Sequence, residues 1–176
     1  MEFNAVIENR YSCRAYKPEA PTTELIESLI GKALLAPSAV NKQPYHVLIL
    51  NTESALEKVR KAYNRPWFAS APVVLLVSAN HNQGWVRSDG TNHAVIDTSI
   101  FIDHLTLVAS SMNLATCWVC NFEVNRLKQL FAFPEGFEPI ALVPLGYPAI
   151  DEIPVKKRKA LNQIITYNNF KNDANL

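Results

Sequence analysis

Residues 94–112 form the longest apolar stretch of the chain, broken by Asp97, Asp103 and His104. The pattern predicts a helix over 93–112 that is apolar on most sides and therefore needs cover on most sides, at the centre of a domain or under a partner subunit. Two carboxylates and an imidazole are costly in a bilayer core, so the stretch is read as a buried helix and no membrane partner is expected. The 176 residues suffice for one core, so a single domain over 1–176 is expected, arranged around this helix.

Helices and strands alternate on either side of it. Leu25, Ile26, Leu29, Ile30, Ala33 and Leu34 recur at helical spacing, after a Thr22-Thr23 pair able to cap the first turn and before Pro37, which stops the helix. Residues 45–50 and 72–78 read as strands, with a helix over about 53–63 between them. Residues 115–122 read as a further strand, 123–131 as a short helix and 139–145 as another strand. There is no repeat, low-complexity block or composition shift that marks a second domain. The interleaving points to an α+β fold, an α/β sandwich with a central sheet.

Seventeen Lys and Arg against sixteen Asp and Glu leave a formal charge of +1, with 48% apolar residues. This balance excludes a disordered chain and a broad polyanion-binding surface, so no nucleic-acid partner is expected. Divided along the chain, the charge is +1 over 1–18, −4 over 19–154 and +4 over 155–176. The positive excess sits at the two ends. Cys13, Cys117 and Cys120 are too few for a secreted disulfide scaffold, and the N-terminus, with Glu2 and Glu8, does not read as a signal peptide. A cytoplasmic location is expected.

Three segments carry candidate chemistry. In an extended Arg10-Tyr11-Ser12-Cys13-Arg14 segment, Arg10, Ser12 and Arg14 share a face. Two guanidinium groups beside a hydroxyl suit a phosphate, and equally suit a solvated surface cluster. In the segment over 36–45, Pro37 and Pro44 restrain a loop bearing Asn41 and Gln43. Their amides can donate and accept as a uracil-like ring edge demands, although an ordinary capped turn has the same composition. Leu145-Gly146-Tyr147-Pro148 ends a strand at a glycine that permits close backbone approach. Lys156-Lys157-Arg158-Lys159 is a solvated face or a weak polyanion patch.

In order and spacing, R-x-S-x-R from Arg10, A-P-S-x-x-N-x-Q-P from Ala36, the helix bearing Asp97, T-C-W-V from Thr116, L-G-Y-P from Leu145 and K-x-R from Lys156 resemble the nitroreductase family of FMN-dependent oxidoreductases. The resemblance covers nearly the whole chain. It implies a mixed sheet flanked by helices, in an intertwined homodimer with one FMN in each of two interface sites. Residues from about 155 onward would be an extension packed on the partner subunit. Arg10 and Ser12 would hold the phosphate and ribityl end with Lys156 and Arg158, with the Tyr11 backbone alongside. Arg14 would lie at the N1 and C2-oxygen edge, where a cation stabilises the charge gained on reduction. Pro37, Ser38 and Ala39 would come from the other subunit, with Asn41 and Gln43 in the same segment. The Cys120 and Asn121 backbone would approach flavin N5 and O4, and Gly146 would allow close packing near the cofactor. Ala115 and Cys120 stand where many relatives have glycines, and Ala39 where some have a hydroxyl.

The implied activity takes hydride from NADH or NADPH and passes it through FMN to an electron-poor small molecule such as a nitroaromatic or quinone, with no protein side chain as catalyst. Another flavin reaction, such as dehalogenation or ene reduction, and non-catalytic binding of flavin or a phospholigand are the alternatives. Cys117 and Cys120, three apart in a strand, face opposite sides and read as ordinary strand cysteines. His46, His81, His93 and His104 have no partner at metal-ligand spacing, so no metal is expected. No GxGxxG or GxxxxGK[ST] motif is present. Trp67, Phe68 and Trp85 could wall a pocket, but suit core packing.

Overall fold

In the computed structural model, which describes residues 2–150 and 152–169, the chain runs α1 (Phe3–Asn9), α2 (Thr23–Ala33), β1 (Tyr45–Leu50), α3 (Glu53–Arg60), α4 (Pro66–Ala69), β2 (Val73–Asn80), α5 (Ala94–Ser111), β3 (Ala115–Thr116), α6 (Val124–Leu130) and β4 (Phe137–Gly146). Short 3-10 turns occupy Ala39–Asn41 and Leu161–Gln163. The expected cap on α2 is made by Thr22, whose hydroxyl accepts from the Leu25 N–H at 3.3 Å.

The sheet has the order β1-β2-β4-β3, and all three pairings are antiparallel. Parallel pairing enters at the edge, where Ser12 bridges to Thr116, and Tyr16 adds an antiparallel bridge to Pro148. The N-terminal segment is thereby stitched beside β3. Every residue of β2 is buried, and alternate side chains go to opposite cores, as the pleat requires. Val73, Leu75 and Val77 meet Ile26 and Leu29 of α2 and Phe101 and Leu105 of α5. Val74 and Leu76 meet Leu56, Val59, Phe68 and Leu127 from α3, α4 and α6.

Helix α5 buries Asp97, Thr98 and Thr106 beside its apolar residues. The Thr98 hydroxyl donates to the Ala94 carbonyl at 2.7 Å, which satisfies it within the helix. Among the described residues α5 is the one helix long and apolar enough to cross a membrane by length and composition; here it packs against α2 and the sheet.

The strand expected over 115–122 is confined to Ala115–Thr116, with one further bridge from Val119 to Leu142. The register of β3 on β4, with Thr116 opposite Leu145, sets Cys117 opposite Pro144. Pro144 has no N–H to give, so the ladder breaks there and resumes in phase at Val119. Helices α1 and α4 were not expected from sequence. Both are short, and α4 starts with Pro66, whose fixed φ suits the first helical turn.

Candidate functional site

Arg10 caps the C-terminus of α1 in an extended conformation, and the chain then runs along the β3 edge. Cys13 points into the core while Ser12 and Arg14 face outward, which is the alternation expected. The far end of the chain returns to this point. The Lys156 ammonium donates to the carbonyl of Ile7 at 3.1 Å and to that of Glu8, at the end of α1 where helix carbonyls lack partners. Arg10, Tyr11, Ser12 and Arg14 consequently share a cleft of about 310 Å³ with Lys156 and Arg158. Desolvation, and the neighbouring charges of Arg10 and Arg158, hold Lys156 below the usual lysine range, against a smaller opposing pull from Glu8. Crowded cations beside a hydroxyl make an anion receptor, because a bound anion relieves their repulsion.

The Arg14 guanidinium carbon lies 5.7 Å from the centroid of the Trp67 ring, and Nη1 is 3.4 Å from the Ser12 carbonyl. Beneath it, burial pushes the Cys117 thiol up, partly offset by the Arg14 charge and a hydrogen bond with Ser12. Burial also drives the Tyr16 phenol far above its ordinary range, and its hydroxyl donates to the Cys13 carbonyl at 3.0 Å.

The second segment is built on Asp97. Its Oδ1 accepts the Ala39 N–H at 3.0 Å. The Gln43 N–H donates to Ser38 Oγ at 3.0 Å, and Gln43 Nε2 donates to Asn41 Oδ1 at 3.0 Å. Val40, Asn41 and Gln43 have positive φ of 46°, 58° and 48°. That conformation is disfavoured, above all for β-branched Val40, and the surrounding bonds hold it. Asp97 is buried, and neither its Oδ2 nor the Tyr45 hydroxyl has a hydrogen-bond partner among the described residues. Desolvation and then the Asp97 charge raise the Tyr45 phenol, whose ring stacks on Phe101 at 4.4 Å. Sequence reasoning saw Asp97 as a break in an apolar helix and as one mark of the family resemblance, and missed it as the anchor of this loop. The available signal was a carboxylate in the first turn of a helix otherwise built for burial.

The model of the Nitroreductase family matches residues 7–64 and 53–147. The chain belongs to the nitroreductase family. A solved nitroreductase family protein from Clostridium difficile 630 superposes with a TM-score of 0.89 at 31% identity, covering 97% of this chain and 100% of that one. A relative in Methanothermobacter thermautotrophicus, provisionally named an NADH dehydrogenase/NAD(P)H nitroreductase, is 30% identical over 161 residues, 85% of this chain and 78% of the relative. Iodotyrosine deiodinase 1 of Mus musculus is 25% identical over 195 residues, covering 93% of this chain and 68% of its own length.

In this nitroreductase-family chain the two segments do not meet. Ala39 is tied to Asp97 in the first turn of α5, whereas Arg10 and Tyr11 share a cavity wall with Thr106 and Ser110 near its last turn. From Asp97 to Ser110 the helix rises about 20 Å. Cys120 and Asn121 are exposed, and Cys117 is buried, so the two cysteines face opposite ways and both are free thiols. Gly146 is buried for a reason that lies within the protein: a Cβ there would come within 3.0 Å of Pro72 Cδ and 3.2 Å of Tyr16 Cδ1. Phe68 belongs to the core, Trp85 packs edge-on to His93 at 4.8 Å, and Trp67 faces Arg14.

Proposed function

We propose that the chain is an FMN-dependent oxidoreductase that acts as a homodimer, taking hydride from NADH or NADPH and passing it to an electron-poor small molecule. The observation that carries this reading is the cation cleft, in which Lys156 and Arg158 return to Arg10 and Ser12 and Lys156 is held below its normal range. That arrangement suits the phosphate of FMN, which when bound supplies the hydride acceptor and donor. Arg10, Ser12, Lys156 and Arg158 grip the phosphate, with the Tyr11 backbone alongside. Arg14 would place its charge at the N1 and C2-oxygen edge. Asn41 and Gln43, on the loop with Pro37, Ser38 and Ala39, present amides to the ring edge. The backbone of Cys120 and Asn121 would lie toward N5, and Gly146 lets Pro72 and Tyr16 pack closely on β4.

The separation along α5 supports the dimer. A second copy, with its α5 antiparallel to the first, would bring the Asp97 end of each chain to the Arg10 end of the other. The outer face of α5 suits such a neighbour: Val95 and Ile96 are exposed, Ile96 at 46%, and they share an open apolar surface with Ile100 and Trp118. Val155, Leu161 and Ile164 are also exposed, which supports packing of the extension from about 155 onward on the partner.

The relation to a deiodinase favours reductive dehalogenation as a second reading at the same site. The test is the visible spectrum of the purified protein, followed by NADH and NADPH added separately without oxygen. A yellow protein bleached by either supports the enzyme; bound flavin that neither bleaches points to a binding role; a colourless protein unable to take up FMN overturns the reading. Reoxidation by a nitroaromatic, a quinone or a halogenated phenol then separates the acceptors.

A further inference from the structure

We propose that Trp67 is a positioning residue for Arg14: the indole face holds the guanidinium at the place where its charge sets the reduction potential of bound FMN. The inference rests on the site reading above and adds to it a residue outside the cation cleft.

Arg14 is exposed, and a long side chain in that situation samples many rotamers unless something restrains it. Its hydrogen bond to the Ser12 carbonyl is long, at 3.4 Å. The face of Trp67 is the second restraint, at 5.7 Å from centroid to guanidinium carbon, within the range at which a ring quadrupole attracts a cation. The ring itself is fixed. Tyr63 and Phe68 meet it edge-on, at 6.0 Å and 5.9 Å between centroids. It also packs against both the core under α3 and α4 and the cluster of Cys13, Tyr16 and Ala115 beside β3. The short helix α4, begun by Pro66, thus carries one ring that joins the rigid interior to a cation otherwise held by one long hydrogen bond. The held charge reaches Cys117 and Tyr16 beneath the cleft, which places it at the junction of the N-terminal segment and β3.

A cation fixed beside a ring that gains negative charge on reduction favours the reduced form, and it does so less when it moves freely. Trp67→Leu keeps an apolar side chain and removes the π face. The midpoint potential of bound FMN, measured by dye equilibration, is expected to fall by about 10–20 mV, a two- to fivefold loss of preference for the reduced form in a two-electron couple. The decisive comparison is the same substitution in an Arg14→Met background, where no further fall is expected. Trp67→Met, whose longer unbranched chain can adapt to the space left by the ring, carries the same expectation and serves if the leucine variant does not fold. An unchanged potential in both single variants overturns the role of Trp67, as does an equal fall in the Arg14→Met background, which would mean that the ring acts on the flavin without Arg14. Wild-type protein that takes up no FMN overturns the site reading and this proposal together, and is told apart because it appears before any substitution is made.

Discussion

Lys156 and Asp97 sit in opposite surroundings, one in a cleft among cations and the other buried. Lys156 is a cation among cations, pulled below 10.5 by desolvation and by Arg10 and Arg158. In the free chain the folded state gives up this proton before the unfolded state does. Its contribution to stability therefore grows as pH climbs from the lowered value toward 10.5. Anion binding has the reverse sign, since it needs the ammonium. FMN affinity, followed by quenching of flavin fluorescence, is expected to decline on the alkaline side, and Lys156→Arg, which stays charged, should move that decline to higher pH. Asp97 is a buried anion with one oxygen on the Ala39 N–H and the other without a partner. Asp97→Ala leaves that N–H unpaired at a cost of about 1–3 kcal/mol, so thermal melts should show a Tm lower by about 3–10 °C. Asp97→Asn keeps an acceptor and removes the buried charge, and should lose less than half as much.

At the scale of elements, proline and glycine in β4 decide how the sheet ends. Pro144 interrupts the pairing that would have extended β3; the backbone meets the sheet once more at Val119 and then leaves it, with Cys120 and Asn121 exposed. Two residues later, Gly146 lets Pro72 and Tyr16 close on the strand. Gly146→Ala would force a Cβ against a proline ring in a filled interior, and overpacking of that kind costs about 1–3 kcal/mol. A Tm lower by several degrees in thermal denaturation is the expected outcome, with circular dichroism at 20 °C unchanged. Helix α2 and strand β1 were legible because period, cap and stop are local signals: Thr22 and Pro37 bound one, and the run Tyr45–Leu50 is the other. The span of β3 was not legible, because its end depends on a proline in a different strand.

For the whole molecule, the two candidate segments lie at the two ends of α5, so under the proposed dimer cofactor binding and association should fail together. Light scattering is expected to give twice the chain mass of 19.7 kDa. Ile96→Glu, which sets a charge on the exposed face of α5, should yield a monomer with native helix content and FMN affinity reduced at least tenfold. A monomer that binds FMN as tightly as wild type would sink the shared site.

Most of the longer elements, among them α2, β1, β2 and α5, and the shared facing of Ser12 and Arg14 were legible in the sequence, because these rest on side-chain periods of two and 3.6 within short windows. The sequence also located the positive excess at both ends of the chain. Side-chain periods say nothing of where those ends lie; the fold brings them together, as the family resemblance implied, through a lysine that reaches back to Ile7 and Glu8. Only the tertiary structure decided that Asp97 ties the loop of Asn41 and Gln43 to the other end of α5, and that the indole is set over Arg14. Those contacts join residues far apart in the chain, and no local period records them; they form when burial of the shared core brings distant segments within reach.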